Sequence, residues 1–138
     1  MMEQIVTPPD LESFLCGLLR ERLGVEVDVK QPAGWDASAP LLVVRDDGGP
    51  MTGERTYSRA VGVTVYAGTR QDVSEAGALA RRAMAVLSSN LAVASAGSPV
   101  ASVDRDGFNG PYRVTDGHDT SAWYLTASYS VVGEVGEI

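Results

Sequence analysis

Leu11, Phe14, Leu15, Leu18, Leu19 and Leu23 recur at spacings of three and four, the pattern of one buried helix face. Ahead of them Thr7-Pro8-Pro9-Asp10 reads as a helix start, with Thr7 as N-cap, Pro8 in the first helical position and Asp10 near the positive end of the dipole. Gly24 supplies the stop. The period then changes to two. Val25, Val27 and Val29 alternate with Glu26, Asp28 and Lys30, which predicts a strand with one wet face. Residues 31–40, with Pro32, Gly34, Trp35 and Asp36, fit neither period and read as a loop with one aromatic anchor.

Residues 41–45 form a second apolar strand, followed by a long loop over 46–57. In the third strand, 59–66, Val61, Val63 and Val65 take one face and Gly62, Thr64 and Tyr66 the other. Thr69-Arg70-Gln71-Asp72 repeats a helix-start signal. The stripe after it (Val73, Ala76, Gly77, Ala80, Met84, Leu87, Leu91) is mostly small, as suits a helix axis lying close against a sheet. Residues 88–99 read as a connector, 100–106 as a fourth strand that 112–115 continues, 116–119 as a turn and 122–132 as the longest strand. The order α-β-β-β-α-β-β predicts an α+β fold, with two helices on one face of a mainly antiparallel sheet of four to five strands. A chain of 138 residues has room for one such domain, spanning 1–138.

Composition narrows the function classes. Eighteen acids against eleven bases leave a net charge of −7, which disfavours a general nucleic-acid binder. Lys30 is the sole lysine, so no lysine-rich patch or basic membrane anchor forms. The single cysteine, Cys16, excludes an internal disulfide framework and a cysteine-built zinc site. The apolar run at 41–44 is far shorter than the roughly 18 residues that span a bilayer. No positive start with an apolar run marks a secretory signal, and cytoplasmic synthesis is the expectation.

Three motifs invite a chemical reading and each falls short. Gly48 and Gly53 have the gap of a phosphate loop, but Glu54 and Arg55 stand where lysine and a hydroxyl are needed. Asp104, Asp106 and Asn109 hint at a calcium loop, yet Phe108 and Thr115 occupy ligand positions. His118, between Asp116 and Asp119 and close to Ser121, has the residue types of a proton shuttle compressed into one tight turn. Cys16 sits beside the leucine stripe with no histidine near it in that segment, the pattern of a packing residue. The expectation is therefore no catalytic, metal or cofactor residue, and no enzyme.

A stronger signal is the absence of charge between Ala60 and Thr69 and again between Thr120 and Gly133. Helices cover one face of these strands, and the other face of an antiparallel sheet ordinarily alternates into charged residues when water wets it. Here that face is Gly62, Thr64, Tyr66, Tyr124, Thr126 and Ser128, the composition of a surface covered by another subunit.

The layout resembles the tail terminator proteins of long-tailed phages, in the branch found in phages of actinobacteria. The resembling pieces are Pro40-Leu41-Leu42-Val43-Val44 leading into Asp47-Gly48-Gly49, then Val63-Thr64-Val65-Tyr66-Ala67 directly before an alanine-rich helix, Gly110-Pro111, and the aromatic final strand from Trp123-Tyr124 to Val132-Gly133. The resemblance implies a homo-oligomeric ring, typically of six copies, at the tail-neck junction of the virion. Such a ring is assembled in the host cytoplasm, stops polymerisation of the tail tube and receives the head-tail connector or stopper. DNA passes through its lumen without specific binding. On this reading the uncharged face above, together with Arg81 and Arg82, contacts neighbouring copies. Asp46, Asp47, Gly48, Gly49, Pro50, Met51, Thr52, Gly53, Glu54 and Arg55 form the loop that reaches the tube or the connector. Other readings are a neighbouring neck protein (head completion or connector-stopper) and a small hydrolase or ligand-binding module using His118.

Overall fold

The computed structural model describes residues 3–35, 39–68, 73–115 and 121–138. Its elements are β1 (Gln4–Thr7), α1 (Leu11–Leu23), β2 (Glu26–Asp28), β3 (Leu41–Gly48), β4 (Thr56–Ala67), α2 (Ser74–Leu87), α3 (Leu91–Ala94), β5 (Val100–Val103), β6 (Asn109–Val114), β7 (Ser121–Val132) and β8 (Glu134–Glu137). A 3-10 turn, Arg105–Gly107, steps between β5 and β6. The fold is α+β around one multi-stranded sheet, ordered β2-β3-β4-β7, with β5 and β6 end to end along the outer edge of β7. β1 and β8 form a separate two-stranded antiparallel ribbon.

The helices cover one face of the sheet, and periodicity explains which. Val61, Val63 and Val65 of β4, Leu42 and Val44 of β3, and Leu125, Ala127, Tyr129 and Val131 of β7 are buried in one cluster with Leu11, Leu15, Leu18, Leu19 and Leu23 of α1. The same cluster takes in Ala76, Ala80, Ala83 and Leu87 of α2. The α1 stripe therefore packs as its spacing predicts, except that Phe14 is only partly buried. In α2 the buried line runs Ala76, Ala80, Ala83, Leu87, while Met84 is partly exposed and Leu91 belongs to α3. Gly77 meets the Trp123 ring so closely that a β-carbon there would stand 2.9 Å from it, which is the close axis that small residues permit.

Tyr129 ties the two layers together, donating its phenol proton to the Leu87 carbonyl at the end of α2 at 2.7 Å. Burial raises this phenol above its ordinary value near 10. The folded state thus holds the proton more tightly than the unfolded chain. Tyr129 contributes its full stability below about pH 10 and loses it as pH rises further. Replacing Tyr129 with phenylalanine strands the Leu87 carbonyl and is expected to cost about 1–2 kcal/mol at neutral pH. It should also reduce the alkaline loss of stability, which denaturant unfolding at pH 8 and pH 11 measures.

Several sequence expectations change. Thr7 is not the N-cap of α1: it ends β1, and Asp10 is the N-cap, its carboxylate accepting the Ser13 N–H at 3.1 Å. Gly24 does stop the helix, in the left-handed region at φ +67°. The first predicted strand, 25–30, shrinks to β2 and pairs parallel with β3, with Glu26 opposite Leu41. The connector after α2 holds the short α3. The fourth strand stops at Val103 because Asp104 turns the chain, its carboxylate accepting the Ser102 and Ser130 hydroxyls at 3.2 Å.

The loop expected at 46–57 is mostly strand and tight turn. β3 runs on to Gly48 with a bulge at Asp47, β4 begins at Thr56, and a bridge pairs Met51 with Tyr57. The remaining tip is laced by Thr52 N–H donating to the Thr56 carbonyl and Ser58 N–H to the Pro50 carbonyl, each at 2.9 Å. The proposed helix-start signal at 69–72 and the turn carrying Asp116, His118 and Asp119 lie outside the described residues.

Candidate interaction surface

The sheet face turned away from the helices is built row by row from the antiparallel register. Tyr66 stands opposite both Leu41 and Ala122, Thr64 opposite Val43 and Tyr124, Gly62 opposite Arg45 and Thr126, Ala60 opposite Ser128, and Ser58 opposite Ser130. The six residues singled out in the sequence therefore share one face across β4 and β7. Arg81 and Arg82 do not join them: both are exposed on α2, in the opposite layer. The hairpin tip is a third location, at the end of the sheet where β7 passes through Gly133 into β8. Arg55 holds that end, its guanidinium donating to the Gly133 carbonyl at 3.1 Å while Gly133 N–H donates to the Arg55 carbonyl at 2.7 Å.

Part of the missing charge on this face has an explanation within the chain. Trp35 from the loop before β3 lies on Tyr66, ring centroids 5.1 Å apart, and with Leu41 and Ala122 they make a second small apolar cluster. Tyr124 leans across Gly62 and meets Tyr112 of β6 edge-on at 5.9 Å. A β-carbon at Gly62 would meet the hydroxyl end of the Tyr124 side chain, so a larger residue there must displace that ring. Gly107 of the 3-10 turn covers Ser128: a β-carbon at 107 would lie 2.5 Å from that of Ser128. Tyr66 and Gly62 are buried by these contacts, whereas Thr64, Tyr124, Thr126 and Ser128 remain half-exposed.

The face also carries an ion pair that its own two strands do not reveal. Arg45 projects beside Gly62, pairs with Asp47 at 2.6 Å and donates to the Tyr124 hydroxyl at 3.4 Å. With 64% and 36% of their side chains exposed, Arg45 and Asp47 add little to stability. They set the polar border of an otherwise neutral patch. Only the pairing register places Arg45 here, and the alternation within 41–45 alone gives no sign of it.

Cys16 is 2% exposed, and burial pushes its thiol up to about 11, against the opposing pull of Arg20. It is protonated at neutral pH and packs as a small apolar residue. Among the described residues no group of three or more His, Cys, Asp or Glu side chains is placed to hold a metal ion. A groove of about 360 Å³ runs between α1 and the chain after α3, lined by Ser13, Phe14, Gly17, Leu18, Glu21, Arg22, Ser95 and Ala96. It brings one carboxylate and one guanidinium together with two hydroxyls. Among the described residues no helix is long and apolar enough to cross a membrane. No family model matches the chain, and no curated protein matches it.

Proposed function

We propose that this protein is a structural part of a phage tail, a terminator whose copies close into a ring on the end of the tail tube. The ring stops tube growth and presents the surface to which the head connector attaches. One observation carries this reading: the half-exposed centre of the sheet face, Thr64, Tyr124 and Thr126, is neutral over two long adjacent strands, although among the described residues α1 and α2 pack on the other face. A face of hydroxyls and tyrosine with charge confined to its border is suited to burial against a second protein.

The three separate surfaces match what such a ring requires. Copies joined head to tail use two different patches, and the sheet face and the outer side of α2 are two different patches. The hairpin tip stands clear of both and carries Met51, 62% exposed, for contact along the ring axis. The net charge of −7 suits a lumen through which DNA slides without being held.

The tip is tested by replacing Met51 with aspartate and Glu54 with arginine, both exposed and outside the core. The folded chain should be unchanged by circular dichroism, and phage made with it should show a joining or length defect by electron microscopy. Overlong tubes support a terminator, and tails of normal length that never meet heads place the chain one step away, among the other neck proteins. Normal virions in normal yield contradict the role of the tip.

A further inference from the structure

The β1–β8 ribbon stands apart from the main sheet. Its register is Gln4 with Glu137 through Thr7 with Glu134, and Glu3 and Ile138 extend it by exchanging hydrogen bonds at 3.0 and 3.2 Å. Two strands alone are marginally stable in water. This pair nevertheless exposes Ile5, Val135 and Ile138, the last by 77%. Its charges are Glu3, Glu134 and Glu137, with no base among residues 3–7 or 134–138. Both of its outer edges lack a strand partner among the described residues.

The opposite character appears at the other edge of the molecule. β6 is the outermost strand of the sheet beside β7, and its Tyr112 and Arg113 are exposed. Arg113 is the register partner of Trp123, and Arg81 of α2 lies near Gly77 on the same side, its guanidinium 3.4 Å and the Trp123 ring 2.9 Å from where a β-carbon at 77 would stand. The indole N–H of Trp123 has no acceptor among the described residues. Over α2, the 3-10 turn and β6 there are four arginines (Arg81, Arg82, Arg105, Arg113) against two acids (Glu75, Asp106), four minus two giving a local charge of +2. The ribbon carries −3 and the whole chain −7.

An open strand edge with a basic flank and an acidic ribbon with open edges are complementary in both hydrogen bonding and charge. We propose that the β1–β8 ribbon of one copy docks along the β6 edge of the next, with Glu3 and Glu134, which share one face of the ribbon, against Arg81 and Arg113. This assignment rests on the ring reading above and adds a contact between neighbouring copies beside the covered sheet face. The join is heterologous, so each copy gives a ribbon and receives one, and the series closes when the rotation allows.

Charge exchange tests it. One variant carries Arg81→Glu and Arg113→Glu, a second Glu3→Arg and Glu134→Arg, all at exposed positions. By light scattering the unaltered chain should exceed its monomer mass of 14.5 kDa, and each variant alone should associate at least about tenfold more weakly. Every contact in an equal mixture is again complementary, so the mixture should recover the original assembly with the two variants in one-to-one ratio. Recovery on mixing also shows that both variants fold. Variants that assemble alone as the unaltered chain does, or a mixture that stays monomeric, overturn the proposal. If the unaltered chain forms rings on tail tubes and the exchanges change nothing, only the ribbon contact is wrong. If it remains at 14.5 kDa both in solution and with tubes, the ring reading falls with it.

Discussion

Arginine at position 126 is expected to leave the single chain folded and to abolish its assembly. Thr126 sits mid-strand on β7, half-exposed, with Gly62 of β4 on one side and Asn109 of β6 on the other. A long side chain there can extend into solvent in a lone copy, so the melting temperature should move by no more than about 3 °C. If another copy covers this face, the guanidinium must be buried without a partner, at a cost of at least about 3 kcal/mol. Association should then weaken by more than about a hundredfold. Thr126→Val is the matched control: it keeps the branched shape, introduces no charge and should assemble. Sedimentation of the three proteins at equal concentration reads the difference. An arginine variant that assembles normally would mean that the face is wetted.

Alanine at position 49 should have the opposite signature, loss of fold before any question of assembly arises. Gly49 lies at φ +154°, and a β-carbon there would fall inside the van der Waals radius of the Ser58 carbonyl oxygen. The obstruction is backbone, so no rotamer relieves it. Strain and overpacking together predict a loss of about 3 kcal/mol or more, near 10 °C in melting temperature. The neighbouring Gly48, at φ +83°, meets nothing within 4 Å, and Asn tolerates this conformation. Gly48→Asn should cost no more than about 1 kcal/mol. Thermal melts of the two variants side by side check the contrast, and equal losses would refute the account of the turn.

The elements legible in the sequence are those whose period runs long enough to be unmistakable. α1, β4 and β7 each carry a buried line over several repeats that the structure buries at nearly every position, and α2 buries Ala76, Gly77, Ala80 and Leu87 of its stripe while Val73, Met84 and Leu91 are only partly buried. The ribbon strands were hidden for two reasons. Each has four residues, too few for alternation to register, and Thr7-Pro8-Pro9-Asp10 mimics a helix start three residues early. Asp10 takes the cap because its carboxylate can reach Ser13, while Thr7 is held in the ribbon opposite Glu134. The parallel pairing of β2 is tertiary information: Val27 is buried whichever neighbour it has.

For the candidate surface the same division holds. The neutral alternation of β4 and β7 is local and readable, and it puts six residues on one side. What lies over that side depends on distant segments: Trp35 on Tyr66, Gly107 on Ser128 and Arg45 beside Tyr124. Those contacts shrink the patch available to a partner to its central rows and give it a charged border. Arg81 likewise acquires meaning only from Arg113, thirty-two positions away in sequence (113 minus 81), because Arg113 is paired with Trp123 and Arg81 stands by Gly77, under which that ring packs.

The solvent accessibility of Thr64 and Thr126 in the assembled particle, read from an electron cryomicroscopy map of the protein bound to tail tubes, tests the central claim most directly. The account predicts a ring on the tube in which both side chains lie against protein of an adjoining copy, with Arg45 and Asp47 at the rim of that contact. A ring, or any other assembly, that leaves Thr64 and Thr126 facing water would contradict it.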